Sequence, residues 1–332
     1  MSATFKTALE THDLVRVFGK RGAVGSVRAV DRLNLTVRRG EMLGLVGPDG
    51  AGKTTTIRML TGILRPTEGS ATVLGHDLVR ETEAVKRRVG YFSQQFSLYG
   101  DLSIDENIEF FAQIHNVRNF KARREELLGF TRLAPFRTRL ADRLSGGMKQ
   151  KLALACTLIH QPELIFLDEP TTGVDPVSRR DFWLILADLL RQGITIVMAT
   201  PYLDEAERCH QVGLMHEGRL VRCDTPQRII GELAGTLLEI TCDSSQVAYR
   251  RVRAEPRWAS AQLFGERIHV LVDDAEREMA ALREALASVG VENVGIRTIS
   301  LALEDAFIEL IRHTGSAAGR AFLPAQEGAR QN

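Results

Sequence analysis

The sequence predicts an α/β protein built on a parallel sheet, followed by a smaller α+β domain. Strand-like and helix-like segments alternate from the beginning of the chain to about residue 235, which is the order expected of an α/β layout. Several strand-like runs are continuously apolar, as is typical of parallel strands buried on both faces. From residue 236 the order becomes β-α-β-β-α-β-α. We therefore expect two domains, 1–235 and 236–314, and a disordered tail over 315–332, which is small, polar and rich in Gly and Ala.

In the first domain, short apolar runs predict strands, and longer runs with apolar residues at helical spacing predict helices. The strands are predicted at 12–18, 33–37, 42–47, 164–169, 195–200 and 211–216, and the helices at 53–60, 103–115, 147–159 and 178–193. The stretch 100–150 is almost purely helical, so we expect a helical subdomain inserted into the α/β core. The glycine-containing stretch 19–29 is predicted to be a flexible hairpin loop.

In the second domain, the order of elements is close to the split βαβ pattern. Strands are predicted at 236–242, 259–265, 267–273 and 294–300, and helices at 244–252, 276–290 and 303–311. The sequence therefore predicts a small ferredoxin-like α+β domain at this end of the chain.

The composition is that of a globular protein, with 44% hydrophobic and 26% charged residues in a chain of 332. The apolar runs are far shorter than the ~20 residues that span a bilayer, and no secretory signal is recognisable. The 43 basic and 42 acidic side chains give a net charge of +1. Nucleic-acid binders usually carry a basic excess, so we expect no nucleic-acid partner. The four cysteines form no CxxC pair, which favours reduced thiols over disulfides or zinc.

The segment "GPDGAGKT" matches the phosphate-loop pattern GxxxxGK[ST] and lies between a predicted strand and a predicted helix. Its glycines allow backbone N–H groups to surround phosphate oxygens. Lys53 would reach the β- and γ-phosphates, and the Thr54 hydroxyl would bind Mg²⁺. The flanking elements argue against a chance Gly-rich turn. The predicted nucleotide contacts here are Gly47, Pro48, Asp49, Gly50, Ala51, Gly52, Lys53, Thr54 and Thr55.

The segment "LIFLDEP" delivers Asp168 and Glu169 to the end of a buried strand. Buried carboxylates are costly without compensation, so a cation is expected nearby. Asp168 suits a Mg²⁺ shell, and Glu169 suits orienting or deprotonating a water molecule. Together with the phosphate loop, this pair indicates a nucleotide hydrolase, but kinases and GTPases remain open at this point.

A third motif, "LSGGMKQK", places Ser145, Gly146 and Gly147 directly before an apolar helix. A serine and two glycines at a helix N-terminus form a second anion-binding site. One chain then has two phosphate-binding sites at helix N-termini, although binding one nucleotide requires only one such site. The simplest explanation is that the second site serves a nucleotide held by a partner subunit.

With "GPDGAGKTT", "LSGGM" and "LDEPTTGVDP" in this order, the chain resembles the ATP-binding cassette (ABC) family over about residues 9–235. The resemblance implies a P-loop NTPase cassette with an inserted helical subdomain, and ATP and Mg²⁺ as cofactors. In that family two cassettes face each other head to tail, and each ATP lies between the phosphate loop of one and the LSGG segment of the other. Ser145, Gly146 and Gly147 would thus act in trans.

The resemblance implies roles for three further residues. Asp175, in "GVDP", resembles the residue that communicates across the dimer. Gln94 resembles the glutamine that touches Mg²⁺ and the attacking water, with the adjacent Gln95 as the other candidate. Phe18 resembles the aromatic residue that stacks on adenine; the alternative is a phenylalanine packed in the core.

Within the family, "LYGDLSIDENI" and the C-terminal "SLALEDAFIELI" resemble ATPases of ABC-2 type, drug-efflux-like exporters. The resemblance implies a transport-coupled ATPase on the cytoplasmic face of the inner membrane. Its partners would be a separately encoded ABC-2 type permease and a second cassette, identical or not. The C-terminal domain does not resemble the β-barrel extension of importer cassettes. An ABC ATPase acting on ribosomes or DNA is disfavoured by the single cassette, the lack of heptads and the balanced charge.

The sequence departs from the family in "MATPYLDEAERC", where Pro201 stands in place of a histidine that contacts the γ-phosphate. Proline has no side-chain donor and no N–H, so it cannot supply this contact. His210 and His216 are disfavoured as substitutes because they follow the next helix. Slow hydrolysis, pairing with a second complete cassette, and ATP binding as a clamp or a non-catalytic regulator all remain open. The acids after Pro201, Asp204 and Glu205 among them, are interpreted as the start of an ordinary helix.

Overall fold

The computed structural model describes residues 7–19, 25–94 and 98–315. Parts of the predicted loop 19–29, Gln95, and the predicted tail from residue 316 onward lie outside these ranges. The chain separates into two compact units, Met1–Thr225 and Pro226–Asn332. The domain boundary that the sequence places at residue 235 stays a prediction.

The first unit contains ten strands within its described residues, and each predicted strand is found among them. They are β1 (Thr7–Phe18), β2 (Val27–Arg38), β3 (Met42–Val46), β4 (Glu68–Val73), β5 (His76–Asp77), β6 (Val89–Phe92), β7 (Leu164–Asp168), β8 (Thr195–Thr200), β9 (Gln211–His216) and β10 (Arg219–Asp224).

The helices of the first unit include every predicted one, together with helices at Thr82–Arg88 and Phe120–Thr131 that the sequence does not predict individually. They are α1 (Lys53–Leu60), α2 (Thr82–Arg88), α3 (Ile104–Ile114), α4 (Phe120–Thr131), α5 (Gly146–Leu158), α6 (Pro176–Arg191) and α7 (Leu203–Ala206), with short 3-10 turns at Ala134–Phe136 and Ala141–Arg143. Between residues 100 and 150, α3 packs against α4 and α5, as the predicted helical subdomain requires.

Two sheets form the first unit, one antiparallel and one largely parallel. The antiparallel sheet has the order β2-β1-β4-β5, and the second has the order β10-β9-β3-β8-β7-β6. In the second sheet, all neighbouring pairs from β9 to β6 are parallel, and β10 is an antiparallel edge strand. Every residue of β3, β7 and β8 is buried, which confirms the prediction drawn from their continuous apolar runs.

The order of the parallel strands determines which side chains meet at the edge of the sheet. Strand β8 lies between β3 and β7, with Val46 opposite Thr200 and Asp168 opposite Ala199. Because parallel strands end at the same edge, the segments that follow β3, β7 and β8 are neighbours. This edge is where ligands bind in open α/β sheets.

The second unit contains β11 (Thr236–Thr241), β12 (Gln262–Phe264), β13 (Arg267–Val272), β14 (Gly295–Ile299), α8 (Pro226–Gly231), α9 (Ser245–Arg253), α10 (Ala275–Ala287) and α11 (Leu303–Gly315), with a 3-10 turn at Pro256–Trp258. Its antiparallel sheet has the order β12-β13-β11-β14. Leu238, Ile240, Ile268 and Val270 share a core with residues of α9 and α10. The predicted ferredoxin-like arrangement is confirmed. In the described parts of both units, no helix is long and apolar enough to cross a membrane.

Candidate active site

The phosphate loop connects β3 to α1 and holds its lysine in a buried position. The Lys53 side chain folds back, and Nζ donates to the carbonyl oxygens of Gly47 at 2.6 Å and Pro48 at 3.1 Å. The residue is only 4% exposed. Burial lowers the pKa of Lys53, while the negative charges of Glu169, Asp49 and Asp168 act in the opposite direction. The loop therefore carries a buried cation next to carboxylates, which suits a polyanionic ligand with a metal ion.

Two glycines of this loop are required by close contacts. A Cβ on Gly47 would lie 2.1 Å from the carbonyl oxygen of Met215, at the end of β9. Gly52 has a φ of +100°, and a Cβ there would lie 2.4 Å from the carbonyl oxygen of Ala29. The loop is thus fitted between β2 and β9 at positions where no other residue type has room.

The end of β7 is joined to the start of α1 by a hydrogen bond from Thr54 Oγ1 to Asp168 Oδ1, 2.9 Å long. Asp168 is fully buried, and Tyr91 donates its hydroxyl to Oδ2 at 3.5 Å. Burial raises the pKa of Asp168, and the bond from Thr54 opposes that effect. Hydroxyl and carboxylate oxygens are the ligands that Mg²⁺ prefers. A divalent cation here would compensate a carboxylate that is costly to ionise, so the residues present fit this metal.

Within the described ranges no group of three His, Cys, Asp or Glu residues could hold a metal ion. A cation at Thr54 and Asp168 would therefore complete its shell with water and ligand oxygens, as Mg²⁺ commonly does beside phosphates.

Glu169 follows Asp168 in an unusual backbone conformation, with a φ of +51°. For a residue other than glycine this left-handed region costs about 1–2 kcal/mol. The backbone is fixed there by a hydrogen bond from the Glu169 N–H to the carbonyl of Ala199 on β8, at 3.0 Å. The side chain accepts from Gln94 Nε2 at 2.9 Å and from Thr172 Oγ1 at 3.4 Å. The structure thus brings the predicted base and the predicted glutamine into direct contact. The strained turn was not predicted, and no sequence signal indicates it.

Pro201 follows β8, so it belongs to the same row of strand ends as the phosphate loop and Asp168. His210 lies at the other end of the sheet, where its Nδ1 accepts from the backbone N–H of Met42 at 3.1 Å. His216 ends β9, which is separated from β8 by β3; two strand spacings amount to about 10 Å. Neither histidine therefore lies where the histidine replaced by Pro201 would lie.

The acids after Pro201 begin a helix, as predicted, but Glu205 also has a buried role that the sequence does not indicate. Helix α7 is a single turn, and Glu205 is only 1% exposed. Its carboxylate accepts from Thr171 Oγ1 at 2.6 Å and from Thr200 Oγ1 at 2.7 Å. The sequence does not indicate this role of Glu205, because charged side chains are rarely buried. A threonine at the end of a buried strand is the only signal that could have suggested an acceptor nearby.

The residues predicted to act on a nucleotide held by a partner subunit lie at the starts of α5 and α6. Ser145 is the N-cap of α5 and accepts from the Met148 N–H at 3.3 Å. A Cβ on Gly147 would lie 2.2 Å from Ser178 Oγ, so α5 and α6 touch at this point. Asp175 is the N-cap of α6 and accepts from the N–H of Ser178 at 2.9 Å. The hydrogen bonds from Ser178 lower the pKa of Asp175. Gly146 is exposed beside Ser145.

Phe18 lies at the end of β1 and is 41% exposed. The guanidinium carbon of Arg16 lies 4.7 Å from the centre of its ring. The alternative of a core phenylalanine is therefore wrong, and stacking on adenine stays a prediction.

The geometry can be compared with known proteins. The model of the family described as ABC transporter matches residues 30–172. The probable multidrug ABC transporter ATP-binding protein YbhF of Escherichia coli (strain K12) is 40% identical over 294 residues, covering 87% of this chain and 50% of that protein. The daunorubicin/doxorubicin resistance ATP-binding protein DrrA of Streptomyces peucetius is 35% identical and covers 92% of this chain and 93% of that protein. The chain thus spans about half the length of YbhF and almost all of DrrA.

Solved structures agree with these relatives. A structure described as the ATP binding subunit of an ABC transporter has a TM-score of 0.60 and 29% identity, covering 68% of this chain and 93% of the other. The cassette MJ0796, in a dimeric post-hydrolysis state bound to ADP and Pi, has a TM-score of 0.59 and 23% identity, covering 65% and 98%. At this identity, the similarity to MJ0796 shows that the two proteins share a fold.

Proposed function

Since the chain belongs to the ABC transporter family of ATP-binding proteins, we propose that it binds and hydrolyses ATP as the cassette subunit of an export complex. The observation that carries this proposal is the hydrogen bond between Gln94 and Glu169, 2.9 Å long, beside Lys53, Thr54 and Asp168. These side chains come from separate segments, and the sheet brings them to one edge. Phosphoryl transfer to water requires an acid, an amide that orients it, a buried lysine and a pair of metal ligands, here Thr54 and Asp168.

Each residue has a separate task in the proposed reaction. The phosphate-loop N–H groups and Lys53 bind the triphosphate. Thr54 and Asp168 would hold Mg²⁺, with Gln94 near it; the ion supplies positive charge to the phosphate oxygens when bound. Glu169 orients a water molecule and takes its proton, and Gln94 fixes the position of that carboxylate. Phe18 would stack on the adenine ring. Catalysis here consists mainly of positioning and electrostatic stabilisation.

A second cassette is the proposed partner for the group at the starts of α5 and α6. Ser145, Gly146 and Gly147 lie on a helix N-terminus suited to an anion, and Asp175 begins the helix packed next to it. This group belongs to other elements than the strand ends that carry the phosphate loop. The dimeric state of MJ0796 supports assembly of two cassettes, which could be identical or different chains.

A membrane permease of the ABC-2 type is the proposed second partner, at the cytoplasmic face of the membrane. The names of three relatives support export: YbhF is described as a multidrug transporter protein, DrrA as a drug resistance protein, and a Burkholderia thailandensis protein as Nod factor export ATP-binding protein I. The last is 35% identical over 290 residues, covering 83% of this chain and 93% of that protein. The balanced charge supports the absence of a nucleic-acid partner.

The partner proposal can be tested by isolating the tagged chain from detergent-solubilised membranes. We expect a polytopic membrane protein to co-purify with it. Enrichment of ribosomes or DNA without a membrane protein would instead support a cassette protein that does not act in transport.

The catalytic assignment is tested by Glu169→Gln in the purified chain. The amide keeps the size of the side chain but cannot take a proton, so we expect the hydrolysis rate to fall at least about 100-fold. Binding of a fluorescent ATP analogue should be retained. Asp204→Asn is the matched control, because Asp204 is an exposed acid nearby and should leave both measurements unchanged. Wild-type turnover by the Glu169→Gln protein would refute the assignment.

Pro201 favours a second candidate function, a hydrolysis-impaired cassette that pairs with an active one. In that case the complete ATP site would be supplied by the second chain, and this chain alone would bind ATP with little turnover. The rate of the unmodified chain distinguishes the two functions.

A further inference from the structure

We propose that Glu205 is a positioning residue that holds the strained turn of Glu169 in its productive geometry. The proposal rests on the proposed ATPase function and adds a residue to it. Glu205 lies four positions after Pro201, and its carboxylate connects the segment after β7 with the end of β8.

The contacts of Glu205 connect residues that flank both functional positions. Thr171, two residues after Glu169, donates at 2.6 Å to Oε1, and Thr200, directly before Pro201, donates at 2.7 Å to Oε2. Thr171 and Thr200 are 1% and 0% exposed. Hydrogen bonds to a charged acceptor are among the stronger ones in proteins, more so when they are buried. The two segments are therefore fixed to each other at this point.

The backbone of Glu169 explains why such a connection matters. Its left-handed conformation persists only if the surrounding structure enforces it. One restraint is the hydrogen bond from its N–H to Ala199 on β8. The Thr171–Glu205–Thr200 bridge is a second restraint between the same two segments. It attaches one residue after Ala199 on β8 and two residues after Glu169 in the turn. Without it, the turn loses one of the restraints that tie it to β8, and we expect it to relax.

The same carboxylate also locates the residues around Pro201. Arg179 Nε on α6 lies 3.6 Å from Glu205 Oε1, and its guanidinium carbon lies 4.6 Å from the ring centre of Tyr202. The Tyr202 N–H donates to Thr200 Oγ1 at 3.1 Å. Pro201 has no hydrogen-bond donor of its own, so its neighbours hold the strand end. Arg179 follows Asp175 by one helical turn, which links the start of α6 to the same network.

The test compares Glu205→Ala and Glu205→Gln with the control Asp204→Ala in the full chain. Steady-state hydrolysis gives kcat and KM, and hydrogen exchange is followed over 169–178 and over β3. We expect Glu205→Ala to lower kcat about 10- to 100-fold, as misplaced catalytic groups do, with KM within about twofold. Glu205→Gln keeps one acceptor oxygen and should recover part of the rate. Exchange should accelerate in 169–178 of Glu205→Ala and stay unchanged in β3.

Each outcome decides the proposal. Unchanged kcat in Glu205→Ala overturns it, and so does faster exchange throughout the chain, which would indicate a merely structural role. If Glu205→Ala does not fold, Thr171→Val removes one donor from the bridge and is measured in the same way. If the wild-type chain does not hydrolyse ATP, the proposed function fails. The exchange experiment then judges the bridge alone: faster exchange confined to 169–178 supports it, and unchanged exchange overturns it.

Discussion

The Thr54 hydroxyl donates a 2.9 Å hydrogen bond to Oδ1 of Asp168, so the first turn of α1 and the last residue of β7 meet at one point. The contact joins residues that are 114 positions apart in the sequence. Both side chains present oxygen atoms, and the carboxylate is fully buried. A pair of this kind is poised to exchange its mutual hydrogen bond for shared coordination of a hard cation.

Removal of the Thr54 hydroxyl should therefore change the metal requirement of the reaction. In Thr54→Ala we expect the Mg²⁺ concentration for half-maximal hydrolysis to rise roughly tenfold or more, as in metal sites that lose a supporting group. Thr54→Ser keeps the hydroxyl and is the control, so its Mg²⁺ dependence should stay close to that of the wild type. An unchanged Mg²⁺ titration in Thr54→Ala would exclude Thr54 from the metal shell.

Neutralising Asp168 should stabilise the ligand-free protein while removing its activity. Burial raises the pKa of Asp168 above its ordinary value. A raised pKa means that the folded state favours the protonated acid, so stability is lost as the pH rises through that pKa. In Asp168→Asn, the amide keeps the acceptor for Thr54 without the charge. We expect a higher unfolding temperature than the wild type at pH 7–8.

The pH dependence supplies the control for this prediction. Near pH 3 the Asp168 carboxyl is protonated in both the folded and the unfolded chain, so the difference between Asp168→Asn and the wild type should vanish. Equal unfolding temperatures at neutral pH would show that burial of the carboxylate is already compensated in the ligand-free protein. Hydrolysis should be lost in either case if Asp168 holds the metal.

The sequence predicts the parallel strands β3, β7, β8 and β9 because their signal is local, but it does not predict β6. The run "LIFLD" is apolar at nearly every position, and the structure buries all of it. Its termination in two acids places the functional groups at the strand end. In contrast, β4 and β5 of the antiparallel sheet are not predicted. Strand β4 contains "EGSATV", and only Ala71 and Val73 are buried in it, so it lacks a clear alternating pattern.

The groups that the sequence missed depend on contacts between distant segments. The left-handed φ of Glu169 is enforced by Ala199, and the burial of Glu205 is compensated by Thr171 and Thr200. No local propensity favours either feature, because glutamate is uncommon both in this backbone region and in cores. Such features are expected at functional sites, where tertiary structure overrides local preference.

The contact between α5 and α6 predicts an asymmetry between two adjacent glycines. A Cβ on Gly147 would lie 2.2 Å from Ser178 Oγ and 2.4 Å from its Cβ, whereas a Cβ on Gly146 meets nothing within 4 Å. We expect Gly147→Ala to lower the unfolding temperature because the two helix starts must separate. Gly146→Ala is the matched control and should be neutral or slightly stabilising, since alanine favours helices.

A double variant completes that test. Ser178→Gly removes the side chain that collides, so it should restore the unfolding temperature of Gly147→Ala. A failure of this rescue would mean that the cost arises elsewhere than at the contact between α5 and α6.

Pro201→His should restore the polar contact that the resemblance to the ABC family places at the end of β8. The backbone there is well defined, since Thr200 lies opposite Val46, next to the phosphate loop, and is fully buried. A histidine at position 201 would thus lie in the row of strand ends between the phosphate loop and Asp168. If the missing donor limits the chemical step, the rate should rise about 100-fold, the scale of one transition-state hydrogen bond.

Pro201→Ala removes the ring without adding a donor, so a gain confined to the histidine variant assigns the effect to its side chain. If Pro201→His is no faster than the wild type and the wild type turns over readily, the γ-phosphate is stabilised by other groups, and the impaired-cassette alternative is wrong. If both the wild type and Pro201→His bind ATP without turnover, the missing donor is not the cause, and catalysis depends on a second cassette.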